Sequence, residues 1–166
     1  MSVGLWACKT FMNKGIILEA LLEVMEFNLR RHHSANKSAS AGATDTQSKA
    51  ETKWDTCGLE ASYLARGHAM QFSELATQLD ALRSMPLHSY AGKPIGVGAC
   101  VEVEIGEERS FYFLAHHGGG IELKLDMGMV TVITPESPLG LAVKGKRFGD
   151  AYILPSGLSG EIVAIQ

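Results

Sequence analysis

The change of hydrophobic period at Pro86 constrains this chain more than any other feature. Before it, apolar residues recur at helical spacing; after it, they alternate. Leu18, Leu22, Met25 and Leu29 lie four, three and four residues apart and form one narrow seam. Phe72, Leu75, Leu79 and Leu82 form a second, and His68, Ala65 and Ala61 continue it backwards with smaller side chains. Two matched seams joined by a polar stretch predict an antiparallel helical hairpin over 12–86, with Leu18 opposite Leu82 and Leu29 opposite Phe72. Residues 34–53 are rich in Ser, Ala, Thr, Lys and Asn and offer no apolar face, so they read as a solvated helix end or a mobile loop. Residues 36–52 are therefore expected to be loosely helical at most. Asp55 or Thr56 caps the second helix, and Pro86 closes it.

Past Pro86 the pattern is that of strands. Val101, Val103 and Ile105 share one face, and Glu102 and Glu104 the other. Further short strands are expected at 110–115, 129–134, 151–154 and 161–165, separated by the turn signals Gly106-Glu107-Glu108, Gly118-Gly119-Gly120, Gly149-Asp150 and Ser156-Gly157. One short helix interrupts them: Ser137 suits its N-cap, Pro138 its first position and Gly145 the residue past its last turn. The predicted class is α+β, a helical hairpin followed over 87–166 by a mostly antiparallel β domain with one short helix. Residues 1–11 lack the positive stretch and small-residue cleavage site of a signal sequence and read as a non-structural leader, with Met12, which opens the helical pattern, as an alternative start.

Composition excludes several classes. A net charge of -3 over 166 residues is not that of a general nucleic-acid coat. Cys8, Cys57 and Cys100 are widely spaced, without a CxxC pair or a His/Cys ligand pattern, so zinc and a disulfide framework are not expected; reduced thiols in a cytoplasmic protein are. No run approaches the roughly 18 apolar residues of a membrane span. His116-His117 lacks acidic or thiol ligands at metal-binding spacing, and Gly118-Gly119-Gly120 lacks the Lys-Ser/Thr of a phosphate loop. No bound small-molecule cofactor is expected.

The stretch Thr134-Pro-Glu-Ser-Pro-Leu-Gly-Leu-Ala-Val-Lys-Gly-Lys-Arg-Phe-Gly-Asp150, continued by Tyr152 to Val163, resembles a signature of the Gre transcription elongation factors. There a strand leads into Ser-Pro-hydrophobic, a short helix, Gly-Lys, Gly-Asp and two closing strands. With the opening strand at Val97–Ile105 and the hairpin, the resemblance covers the chain from about Met12 onward. It implies a long coiled coil, an FKBP-like C-terminal domain and RNA polymerase as partner, with the hairpin reaching into the secondary channel towards nascent RNA. On this resemblance Ser137 and Pro138, with the second basic cluster Lys144, Lys146 and Arg147, are C-terminal docking residues; the cluster reads equally as a solvated face. In cleaving members two acidic side chains at the tip help hold a Mg²⁺ jointly with the polymerase, and the chain needs no cofactor or activity of its own.

The acidic candidates for that tip are Asp55 and Glu60, with Trp54 as a neighbouring contact residue. Cleaving members place Asp and Glu three apart with a Tyr four residues on. Counted back from Tyr63, those positions fall on Leu59 and Thr56, so Asp55 and Glu60 each miss by one residue in opposite directions. Asp55 also suits a helix cap, and Glu60 the positive end of a helix dipole. Arg30, Arg31 and Lys37 form a basic patch with His32 and His33, either a solvated face or a contact for RNA or an acidic channel wall. Rival readings are a non-cleaving or inhibitory Gre homologue, a peptidyl-prolyl isomerase, and a coiled-coil interaction module. Both tryptophans, Trp6 and Trp54, lie outside the C-terminal domain, which speaks against an isomerase pocket.

Overall fold

The structure, a computed structural model, describes residues 13–44, 57–126 and 128–166. The expectations about residues 1–11, Met12, Trp54, Asp55 and Thr56 lie outside these. The elements run α1 (Lys14–Thr44), α2 (Cys57–Arg83), β1 (Cys100–Ile105), β2 (Glu108–Leu114), β3 (Glu122–Leu125), β4 (Gly128–Ile133), α3 (Pro138–Val143), β5 (Ala151–Ile153) and β6 (Ser159–Ile165). The chain is thus α+β: two long helices, then a six-stranded sheet with one short helix. Among the described residues it divides into two compact units, one within Leu22–Ser84 and the other within Met85–Gln166 together with the residues up to Leu21.

In the sheet unit the strand order is β3-β4-β2-β1-β6-β5. All neighbours are antiparallel except β2 and β4, which run parallel with Phe113 beside Val132. The expected alternation holds in β1: Val101 and Val103 are buried with Leu114, Ile133, Val143, Tyr152 and Ile162 in one core. The opposite parity places Cys100, Phe113 and Val132 on the other face, also buried. Further along that face Arg109 bridges Glu102 and Glu104, at 3.3 and 2.8 Å. β3 has no counterpart among the strands expected from alternation. Only Leu123 of its four residues is buried, and the strand exists because β4 offers it a ladder, Glu122 to Thr131 through Leu125 to Gly128.

The start of α1 belongs to the sheet unit. Asn13 caps it: its side-chain Oδ1 accepts from the Gly15 N–H at 2.9 Å. Lys14 donates to the His88 carbonyl and sits 5.2 Å from the centre of the Tyr90 ring. Ile17 and Leu21 are fully buried. Leu21 packs so closely on Gly118 that a Cβ there would lie 2.8 Å from its Cδ1, and Gly118 takes φ +81°. That corrects the seam read from spacing: the buried line is Ile17, Leu21 and Met25, whereas Leu18, Leu22 and Leu29 are half-buried. The physical reason is that the first turns of α1 serve the sheet, not the second helix.

In the hairpin unit α1 and α2 are antiparallel neighbours. Arg83 Nη2 donates to Glu26 Oε1 at 2.8 Å, His32 and His68 have ring centres 6.4 Å apart, and His33 and Phe72 5.6 Å. Phe72 thus stands beside His33, one turn beyond the Leu29 that the seam spacing assigned to it. Met25, Leu79 and Leu82 are buried. α1 continues as helix through Thr44, so the polar run after Ser34 is a helix end over its described part.

Candidate functional site

α2 begins at Cys57, and Glu60 stands exposed in its first turn. A carboxylate there meets the unsatisfied N–H groups and positive dipole end of the helix. Tyr63 is exposed one turn further on. Among the described residues no three His, Cys, Asp or Glu side chains stand together as metal ligands. Of the two candidate carboxylates, Glu60 lies within the described residues and Asp55 outside them.

The basic patch is partly neutralised. Arg30 lies 3.9 Å from Glu26, which Arg83 also engages, and Arg31 sits 5.9 Å from the centre of the Phe27 ring. Lys37 is on α1. The hydrogen bond to Glu26, more than any other neighbour, raises the Arg83 pKa above its usual value. The Glu26–Arg30 pair, four residues apart, is legible in the sequence, whereas Arg83 is not, because it lies 57 residues from Glu26.

The C-terminal candidates divide into residues that shape the backbone and exposed groups. Ser137 Oγ accepts from the Gly140 N–H at 3.1 Å and donates to the Thr134 carbonyl at 2.7 Å, with Pro138 following at the first helical position. Both start α3, as their types predict. Gly145 takes φ +80° past the last turn, as expected of a helix stop. Gly140 is required for a different reason: a Cβ there would lie 1.9 Å from the Thr134 carbonyl oxygen. Lys144 and Arg147 are exposed and Lys146 half-buried. Arg147 Nη1 donates to the Gly92 carbonyl at 3.1 Å, and its backbone N–H to Asp150 Oδ2 at 2.7 Å.

On the face that the start of α1 covers, burial pushes the Cys100 thiol up to about 12, with Lys14 pulling the other way. Desolvation lowers the Lys14 ammonium. A thiol so raised is a packing group and not a nucleophile.

No helix among the described residues is long and apolar enough to cross a membrane. No protein-family model matches the chain, and no curated protein matches it. Among solved structures it is similar to the crystal structure of GreA factor homolog 1 (Gfh1) of Thermus thermophilus, at 24% identity over 87% of this chain and 94% of that one, with a TM-score of 0.35. It is likewise similar to Gfh1 of Thermus aquaticus, at 23% identity over 89% of this chain and 95% of that one, with a TM-score of 0.36.

Proposed function

We propose that this chain is an RNA-polymerase-binding transcription elongation factor of the Gre type, acting from the cytoplasm by inserting its helical hairpin into the polymerase secondary channel. The observation that carries the reading is the Thr134–Asp150 segment. Its Ser-Pro start, glycine-dependent short helix and Gly-Asp turn follow a helical hairpin in the order that the family resemblance requires. Each part has a physical role here: Ser137 caps α3, Gly140 lets it approach Thr134, and the Asp150 carboxylate holds the turn through the Arg147 N–H.

Within that reading, the hairpin is the lever and the sheet unit the dock. Nascent RNA is the second contact, met by Arg30, Arg31 and Lys37 along the stem. A specific observation favours a non-cleaving or inhibitory variant of the same factor. Asp55 and Glu60 each stand one residue from the positions that the spacing to Tyr63 demands. For Glu60, on α2, one residue turns the side chain by about 100°.

Two measurements test this. Purified core RNA polymerase should retain the chain in a pull-down; no retention overturns the reading. In a backtracked-complex assay at saturating protein, any stimulated cleavage should fall about 10–100-fold in Asp55→Asn and in Glu60→Gln, with binding unchanged. Stimulation that survives both changes removes these carboxylates from the site. Absent stimulation together with competition against a cleaving factor establishes the inhibitory form.

A further inference from the structure

Past the Glu26–Arg83 ion pair, about 9 Å further along α1, a second polar pair spans the hairpin. His32 of α1 and His68 of α2 have ring centres 6.4 Å apart and ring planes tilted by 50°. His68 is half-buried, and its Nδ1 is shut off from solvent with no hydrogen-bond partner among the described residues. A buried ring nitrogen costs free energy unless something bonds to it, and a bound ion or water commonly does. His32 is exposed, so its ring is free to turn. The neighbouring cations are drawn elsewhere: Arg30 engages Glu26 and Arg31 lies over the Phe27 ring, each a turn back on α1. His33 is engaged as well, its ring centre 5.6 Å from that of Phe72.

Two imidazoles presented by facing helices are ligands for a divalent transition-metal ion of the kind that prefers ring nitrogen. Two such rings on one ion, with bonds of about 2.0–2.1 Å at a tetrahedral angle, have centres about 5 Å apart. The observed 6.4 Å is wider by about an ångström, which a change of rotamer at the exposed His32 supplies. We propose that His68 Nδ1 and a ring nitrogen of His32 bind such an ion between α1 and α2, with water completing its shell. Among the described residues no third His, Cys, Asp or Glu joins them, so the ion is held reversibly. The adjacent His116 and His117 have ring centres at a similar 6.5 Å, but neither has a buried nitrogen left unbonded among the described residues. With one ligand on each helix, the ion ties α1 to α2 and stiffens the hairpin, and it needs no partner protein to bind.

The test uses the full chain with Ni²⁺ as probe. Calorimetric titration should show affinity falling about tenfold or more in His32→Asn and in His68→Asn. At free Ni²⁺ ten times Kd, the thermal midpoint of helix unfolding should rise by about 3–6 °C in wild type, with no rise in either variant. His33→Asn, and His116→Asn combined with His117→Asn, should respond as wild type. Midpoints measured without metal show that each variant is folded; should His68→Asn fail to fold, the exposed His32→Asn still decides the matter. No rise in wild type means that water alone meets His68 Nδ1, and overturns the proposal. A rise that survives both His32→Asn and His68→Asn, or that is lost in the His33 or the His116 and His117 variants instead, places the ion on other histidines or on thiols. A rise that comes with Ni²⁺-dependent dimers means that the ion joins two chains. Each of these results also overturns it.

Discussion

Gly140 illustrates how a single residue type is dictated by an approach between backbones. A methyl group there would overlap the Thr134 carbonyl oxygen, at 1.9 Å, and neither partner is a side chain that could swing aside. Gly140→Ala should therefore cost about 3 kcal/mol, the upper end for overpacking, read from the urea midpoint at constant slope. Ser137→Ala, which removes only the cap, should cost about 1 kcal/mol. Equal effects of the two changes would show that α3 does not sit against Thr134 as described. Cys100 carries a pH signature. Its thiol ionises near the usual value of 9.0 when unfolded but only at about 12 when folded. The unfolded chain thus loses the proton first, and the stability tied to the neutral thiol is complete below about 9 and falls as pH rises towards about 12. The stability difference between wild type and Cys100→Ala should shrink over that range, and it should stay flat from pH 6 to 8.

At the scale of elements, α1 answers to two neighbours along one helix. Its first turns give Ile17 and Leu21 to the sheet unit, and from Leu22 onward it belongs to the hairpin. Leu21→Ala should cost about 2–5 kcal/mol, since it empties a fully buried site against Gly118. Leu18→Ala and Leu22→Ala, at half-buried positions, should cost clearly less. Thermal unfolding of the three variants would reverse this order if the seam read from spacing were the buried one. The Glu26 cluster is solvent-accessible, so Glu26→Gln should change stability by under about 1 kcal/mol despite its contacts with Arg83 and Arg30.

For the molecule as a whole, the division into units does not follow the order of the chain. A fragment beginning at Met85 carries all six strands but lacks Ile17, Leu21 and the Lys14 anchor on His88 and Tyr90. Such a fragment should unfold at lower urea than the intact chain and bind a hydrophobic dye. A peptide spanning residues 13–21, added in trans, should reverse both effects. A fragment as stable as the parent would mean that these turns contribute nothing to the sheet.

Much of this was open to reading along the sequence, wherever the determinant is local. Period changes announce helices and strands, so the hairpin, the alternation in β1 and the Ser137–Gly145 helix all follow from residue types at fixed offsets. Glu60 in the first turn of α2 follows for the same reason. Tertiary structure alone decided the rest. β3 exists because β4 presents an unpaired ladder. The buried line of α1 moves to Ile17 and Leu21, and Gly118, nearly a hundred residues on, leaves room for Leu21. His32 meets His68 only once the two helices lie side by side. Helix caps and strand alternation are set by the few bonds around a residue. Burial and charge complementarity depend on which distant surfaces meet, and only the folded chain determines that.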